Sequence, residues 1–302
     1  MKKVIVITGP TGIGKTELSL KIAALYNGEI INADASQFKK DLNIGTAKID
    51  LNNVSVKHHL IDIINADEMF SINDFQKEAR ILIDKITSEG KMPFLVGGSG
   101  LYINACLNDY HLDSPKHDLY IEEKYKDLNN EELHDILKEL DLTASLNIHC
   151  NNRRRVLRAI ELAIEGKSIS NNLDGNKPIY DSLVICLSTD RDVLYDRINK
   201  RCKIMLEEGW IDECKSLKER GIDLQKIKDI GYNDIDMYLD NVISLEEVEE
   251  VISKKTRNYA KRQITWMKNK MNSVFVEMDY DNINNTILKI KDLIDSFLTK
   301  NE

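Results

Sequence analysis

Gly9-Pro10-Thr11-Gly12-Ile13-Gly14-Lys15-Thr16 follows the pattern G-x-x-x-x-G-K-[ST], between an apolar run (Val4 to Thr8) and a helical pattern that begins at Lys15. Residues of these types in this order bind a di- or triphosphate. Glycines let several backbone N–H groups converge on phosphate oxygens, and the following helix N-terminus adds favourable dipole charge. Lys15 neutralises phosphate, and the Thr16 hydroxyl can complete the coordination of a magnesium ion. Read alone, the motif points to an ATPase or kinase. Such an enzyme commonly carries an acid at the end of another apolar strand to hold its metal. Here the run Met92 to Val96 ends in Gly97-Gly98, so the loop is expected to hold a diphosphate that is a leaving group, with no ATP involved.

The second chemical residue is Asp34, directly after the apolar run Glu29 to Ala33. In open parallel sheets the carboxyl ends of strands line the ligand crevice, so this acid is expected near the phosphates. A carboxylate beside phosphates is electrostatically unfavourable unless it has work to do. It can hold a magnesium water, or act as hydrogen-bond acceptor or general base toward a nucleophile. A third reading is a carboxylate that caps a loop or a helix N-terminus.

These residues need elements to hold them. Val4 to Thr8 reads as a buried strand, Gly9 to Gly14 as a tight turn, and Lys15 to Tyr26 as a helix with Leu18, Ile22 and Leu25 on one face. Gly28 stops that helix, and Glu29 to Ala33 is a second strand. A helix over about Asp74 to Ser88 carries Phe75, Ala79, Leu82, Ile83 and Ile86 at helical spacing; Gly90 ends it, and Pro93 to Val96 is the next strand. This alternation predicts an α/β fold, a P-loop parallel sheet with helices on both faces. The polar stretch from 113 to 148, with short amphipathic helices near Asp118–Leu128 and Glu131–Leu140, reads as a small all-helical insertion between a core of 1–112 and its completion in 149–302. Ser182 to Leu187 returns to the sheet, and from Asp190 onward the pattern is almost wholly helical.

Composition narrows the class. The chain has 302 residues, of which 42% are hydrophobic, enough for a proper core. No stretch approaches the roughly 20 apolar residues of a membrane helix, and Met1-Lys2-Lys3 runs straight into the first strand and a glycine-rich turn, so a cytoplasmic protein is expected. Five scattered cysteines without C-x-x-C spacing make neither a disulfide framework nor a zinc site. Net charge is −8, which argues weakly against nucleic acid. Yet Lys254, Lys255, Arg257, Lys261, Arg262, Lys268 and Lys270 fall in a stretch without acids, and Arg153-Arg154-Arg155 with Arg158 makes a second basic knot. A polyanion can bind locally to a protein that repels it globally. Solvated helix faces are the alternative.

A longer set of residues carries a resemblance. Asp34-Ala35-Ser36-Gln37 and Asn43-Ile44-Gly45-Thr46-Ala47-Lys48 resemble the D-S-x-Q and I-G-T-A-K stretches of bacterial tRNA dimethylallyltransferases. The likeness runs on through His58 to Ile63, Phe70 to Phe75, Leu95-Val96-Gly97-Gly98-Ser99-Gly100-Leu101-Tyr102, Ile148-His149, Asn151 to Glu161, Ile230-Gly231-Tyr232 and Thr256 to Trp266. It implies transfer of a dimethylallyl group from dimethylallyl diphosphate to the exocyclic amine of the adenosine 3′ of the anticodon. Asp34 would be the base, with Thr11 facing the same crevice. Gly9, Pro10, Thr11, Gly12, Ile13, Gly14, Lys15 and Thr16 would hold the diphosphate with magnesium, and Arg201 would be a second clamp, though Arg197 one helical turn earlier serves equally well. The tRNA anticodon stem-loop would be the partner, its base extruded from the stack. Asp34, Ala35, Ser36, Gln37 and Ser99 would meet the adenosine, Gln37 with the donor–acceptor pair suited to an adenine edge. Arg154, Arg155, Val156, Leu157 and Arg158, the 257–262 segment and the insertion would hold the RNA, and the enzyme is expected to be a monomer.

Three positions depart from the family pattern: Ala35 stands for the usual Ser, Lys39 for an aromatic residue and Cys150 for a Pro, while Ser99 keeps the hydroxyl of the usual Thr. His58-His59 makes a poor chelate, because neighbours on an extended chain point to opposite sides. Tyr259 and Trp266 are expected to be core packing rather than base-stacking platforms, Asp62 a strand-end acid and Asp74 a helix cap. The rival readings are a transferase acting on free adenine nucleotides, a P-loop kinase, and an RNA-binding module without catalysis.

Overall fold

The computed structural model describes residues 1–110, 112, 119–168 and 177–300. The chain forms two compact units, one of residues 1–106 with 180–302 and one of residues 107–179.

The first unit is built on six parallel strands: β1 (Lys3–Thr8), β2 (Gly28–Asn32), β3 (His58–His59), β4 (Met92–Gly97), β5 (Asp181–Ser188) and β6 (Val274–Glu277), in the order β3-β2-β4-β1-β5-β6. The central strands are apolar without alternation, as burial on both faces demands. Ile5, Ile7, Phe94, Val96, Ile185 and Leu187 share one core cluster with Leu18, Ile22, Ile290 and Ile294, while Val4, Val6, Leu95 and Cys186 at the alternate positions are just as buried. Helices α1 (Lys15–Leu25), α2 (Ile72–Ser88) and α3 (Gly100–Leu107) follow β1, β3 and β4.

The strand order places β4 between β1 and β2, so the phosphate loop and Asp34 leave the same end of the sheet one strand apart. Ser71 caps α2 and pairs reciprocally with Asp74, which is the third helical residue and not the cap itself. Leu25, expected on the buried face of α1, is exposed at its last turn.

After β5 come α8 (Arg191–Glu207), α9 (Trp210–Glu219), α10 (Tyr232–Leu239), α11 (Leu245–Lys270) and α12 (Ile283–Thr299). The stretch after Asp190, almost wholly helical in pattern, also contains strand β6. That strand has four residues, and Val274 and Phe275 are exposed on the sheet edge, so neither length nor alternation marked it. Trp210, Tyr232, Leu217, Val248 and Ile252 form a second core cluster.

In the second unit the helices between α3 and α8 are α4 (Leu119–Lys124), α5 (Asn130–Leu140), α6 (Leu142–Asn147) and α7 (Arg153–Ile164). Leu133 and Leu137 of α5 meet Val156 and Ile160 of α7 in its core. Asn129 caps α5 in a reciprocal pairing with Glu132, and Arg153 donates to the Leu128 and Tyr125 carbonyls. This unit takes in the expected 113–148 insertion together with α7; residues 113–118, including the expected helix start at Asp118, lie outside the described residues. Among the described residues no helix is long and apolar enough to cross a membrane.

Candidate active site

The loop after β1 turns sharply into α1, and Gly14 stands at the helix N-cap with φ 100°, a left-handed conformation that glycine adopts without strain. Two side chains brace the loop from behind. Arg197 of α8 donates through Nε to the Gly12 carbonyl at 3.1 Å, and its guanidinium lies 4.0 Å from the Tyr280 ring. Tyr280 in turn donates its hydroxyl to the Ile13 carbonyl at 3.1 Å. Lys15 folds back on its own loop, donating to the Gly9 and Pro10 carbonyls at 2.9 and 3.0 Å. Burial lowers the Lys15 pKa to about 8 against the opposing pull of Asp34, with the neighbouring Arg201 charge lowering it further.

Asp34 reaches this loop across β4 because of a close backbone approach. Ala33 donates to the Val96 carbonyl at 2.7 Å, and Ser99 donates to the Ala33 carbonyl at 3.2 Å. A Cβ on Gly97 would lie 2.1 Å from the Ala33 oxygen, so only glycine lets the end of β2 fold over the end of β4. The Gly97-Gly98 pair that stands where a metal-holding acid was absent thus has a role in placing the acid from the next strand. Asp34 also accepts from the Ser36 N–H at 3.2 Å as cap of a short turn over Ala35–Phe38. The capping reading and a cleft-facing carboxylate therefore coexist. Burial raises the Asp34 pKa, Lys15 and the Ser36 N–H oppose this, the Asp229 charge adds to it, and Arg201 opposes it.

Lys15, Thr16, Asp34 and Gln37 line one cavity, together with Ser19, Asn32, Ile49, His58, Ile61 and Gly97. Arg201 is the member of the Arg197/Arg201 pair whose charge acts on both Lys15 and Asp34. Gln37 donates to the Thr46 and Ala47 carbonyls at 3.4 Å. Those carbonyls belong to a loop held by Glu213, whose carboxylate accepts from the N–H groups of Asn43, Ile44 and Gly45 and from the Tyr232 hydroxyl. Lys48 closes the same loop onto Asp62 at 2.5 Å, so Asp62 is an ion-pair partner with φ 56° rather than a strand-end acid.

Thr11 and Ser99 sit beside the cavity and are tied in by backbone and side-chain bonds. Ser99 Oγ accepts from the Ala35 N–H at 3.2 Å, and it also pairs with the Tyr259 hydroxyl. The Thr11 N–H donates to Gln263 Oε1 at 2.9 Å. Helix α11 thus presents Tyr259, Gln263 and Trp266 to the turn after β4: Tyr259 at Ser99, Gln263 at Gly98, and the Trp266 ring where a Cβ on Gly100 would collide. Trp266 thus packs against Gly100, while Tyr259 is close enough to Asp34 for the carboxylate to help burial raise its pKa. His58 and His59 divide as extended chain requires: His59 Nε2 is 2.6 Å from Glu29, while His58 lines the cavity and bonds the Val56 carbonyl through Nδ1.

In the second unit Arg154 and Arg155 are exposed on α7, whereas Val156 and Leu157 are buried in that unit's core and Arg158 pairs with the buried Glu161 at 2.5 Å. Of the residue run expected at the RNA, the two consecutive guanidiniums of Arg154 and Arg155 face solvent.

A parallel α/β sheet with a phosphate loop, and a raised-pKa carboxylate facing that loop in one cavity, define a group-transfer enzyme that handles a phosphorylated donor. Known proteins specify the group. The model of the IPP transferase family matches residues 37–270. The tRNA dimethylallyltransferase of Halalkalibacterium halodurans is 41% identical, with 97% of this chain and 96% of that protein covered. The solved tRNA isopentenylpyrophosphate transferase of Staphylococcus epidermidis is 37% identical with a TM-score of 0.74, covering 98% of this chain and 99% of that one. A solved eukaryotic dimethylallyltransferase acting on tRNA is 27% identical, with a TM-score of 0.83 over 98% of this chain and 80% of that one. The chain belongs to the tRNA dimethylallyltransferase (IPP transferase) family and is a transferase. The family match begins after the phosphate loop and Asp34, which lie within the whole-chain relationship.

Gln263 and Tyr232 lie in stretches that carry the family resemblance but have no role legible there, and neither Glu213 nor Asp229 stands out in the sequence. Their signal is a partner far away in sequence, which a linear pattern does not show.

Proposed function

We propose that this enzyme transfers the dimethylallyl group of dimethylallyl diphosphate to N6 of the adenosine 3′ of the anticodon in tRNA. The observation that carries the reading is the single cavity shared by Lys15, Thr16, Asp34 and Gln37. The C1–O bond of the donor breaks as the bond from N6 to C1 forms. Asp34 takes the proton lost by N6, and diphosphate leaves on the loop. The adenine amine is a weak nucleophile because its lone pair is delocalised, so a carboxylate accepting its hydrogen bond raises its reactivity. The raised pKa of Asp34 makes that carboxylate a stronger base than an ordinary aspartate.

Lys15, the loop N–H groups and Arg201 stabilise charge growing on the departing diphosphate. Protonated Lys15 is bonded to loop carbonyls in the free protein, and a diphosphate would draw it away from them. The exposed Thr16 hydroxyl opens onto the same cavity and offers the hard oxygen that magnesium prefers, so Thr16 and the donor's own oxygens would hold that ion. Magnesium, when bound, neutralises the leaving group.

Gln37 spends its Nε2 on the Thr46 and Ala47 carbonyls, which fixes the amide and leaves Oε1 to accept a hydrogen bond from the adenine amine. Arg154 and Arg155, together with the basic residues of α11, would contact the phosphates of the anticodon stem-loop. The reading places the enzyme in the cytoplasm, acting as a monomer on its tRNA.

The test is label transfer. Protein is incubated with radiolabelled dimethylallyl diphosphate and unmodified tRNA, AMP or neither, and ATP turnover is measured separately. Label in tRNA alone is expected. Label in AMP but not in tRNA overturns the RNA assignment, and ATP hydrolysis without label transfer favours a kinase.

A further inference from the structure

The Gln263 side chain bonds both the phosphate loop and the turn that carries Ser99. Its Oε1 accepts from the Thr11 N–H and its Nε2 donates to the Gly98 carbonyl, each at 2.9 Å. The residue is 6% exposed, on an α11 turn between Tyr259 and Trp266. A Cβ on Gly98 would lie 2.3 Å from its Nε2, so the glycine is what allows the amide to reach. From Gly98 the connection continues to the acid. Ser99 donates its N–H to the Ala33 carbonyl and accepts the Ala35 N–H on Oγ, gripping the backbone on both sides of Asp34. Beyond the β1–β4 ladder, the Gln263 amide thus bridges the diphosphate half of the site and the adenosine half.

We propose that Gln263 is a positioning residue that sets the distance between the phosphate loop and the Asp34 loop. Each loop has supports of its own: Arg197 and Tyr280 behind the first, Asn32 and the short turn at the second. Without Gln263 each half-site keeps its shape and its ligand, but the donor carbon and the adenine amine no longer meet in line. Misplacement of about 1 Å between reacting groups costs roughly 100-fold in rate. The inference rests on the transfer reading above and deepens it.

The experiment compares wild type, Gln263→Leu, Gly98→Ala and the double variant. Leucine fills the side-chain volume without either bond, and alanine at 98 displaces the amide from the other side. Measured are kcat for transfer, separate Kd values for dimethylallyl diphosphate and for tRNA, and thermal unfolding. Expected for each single variant is a kcat loss of roughly 10- to 100-fold, with both Kd values within about threefold and the double variant no worse than either alone. Unchanged kcat overturns the proposal. So does a rise in either Kd that matches the loss of kcat, or losses that multiply in the double variant. If Gln263→Leu does not fold, the unbranched Gln263→Met is judged by the same criteria. Failure of wild type to transfer label at all sinks the functional reading instead, so the two failures are distinguishable.

Discussion

Gly97→Ala probes how an acid from β2 comes to face a loop on β1. The added Cβ would lie 2.1 Å from the Ala33 oxygen and 2.2 Å from its carbonyl carbon, both backbone atoms with no rotamer to give way. Ordinary contact begins near 3.4 Å, so the Ala33–Asp34 backbone and the end of β4 must separate by 1.3 Å, the difference between 3.4 and 2.1. A shift of about 1 Å at a reacting group costs roughly 100-fold, or about 2.7 kcal/mol of transition-state stabilisation. Overpacking of this kind costs about 1–3 kcal/mol of folding stability as well, small enough for the variant to remain folded. The assay is single-turnover transfer of labelled dimethylallyl to tRNA with both substrates saturating, alongside calorimetric titration of the diphosphate donor. We expect the rate to fall roughly 100-fold while donor affinity holds within a few-fold, because the phosphate loop is braced by Arg197 and Tyr280 away from the clash. A Gly97→Ala enzyme that turns over at the wild-type rate would show that the close approach of β2 to β4 does not set Asp34 in place.

Three further outcomes are expected. Lys39 and Asp229 form an ion pair of 2.8 Å in which both side chains are largely buried, and the Asp229 charge raises the Asp34 pKa. A base must be deprotonated to work, so transfer falls as pH drops through the raised Asp34 value. Lys39→Met leaves Asp229 without its partner and should move that acid limb to higher pH, while Lys39→Met with Asp229→Asn should bring it back below wild type, read from kcat/KM against pH. Arg201→Ala should weaken dimethylallyl diphosphate binding by roughly 10- to 100-fold, the worth of charge-assisted bonds. Arg197→Ala, which removes a brace and not a ligand contact, should lower the unfolding temperature more than the affinity; titration and calorimetry separate the two.

The legible parts of this protein are those whose signal is contiguous. The eight residues of the phosphate loop, the unbroken apolar strands and the periodic face of α2 each lie within one short window, so pattern alone places them. The place of Asp34 is legible because it lies just beyond the end of an apolar strand. What stayed hidden depends on contacts between distant segments. Gln263 and Gly98 are 165 residues apart and Glu213 lies 168–170 residues from the loop it holds, and neither distance leaves a trace in local spacing. The choice between Arg197 and Arg201 was open for another reason. Both lie on one face of α8 a turn apart, and only the position of Tyr280, brought in by the chain after β6, draws the first toward the back of the phosphate loop. Strand β6 was missed because an edge strand of four residues with an exposed Val-Phe pair looks like a loop beside a helix. The helical run 154–158 shows a different limit: basic and apolar residues alternate there at helix spacing, so the sequence could not say that Val156 and Leu157 turn inward while Arg154 and Arg155 turn out.

The most direct measurement is single-turnover transfer by Asp34→Asn, which keeps the size and the cap at Ser36 but removes the base. The predicted result is a rate loss of about 100- to 10,000-fold, the range of general-base contributions, with tRNA and dimethylallyl diphosphate affinities within a few-fold of wild type. Transfer at an undiminished rate would contradict the assignment of Asp34 as the group that activates the adenosine amine.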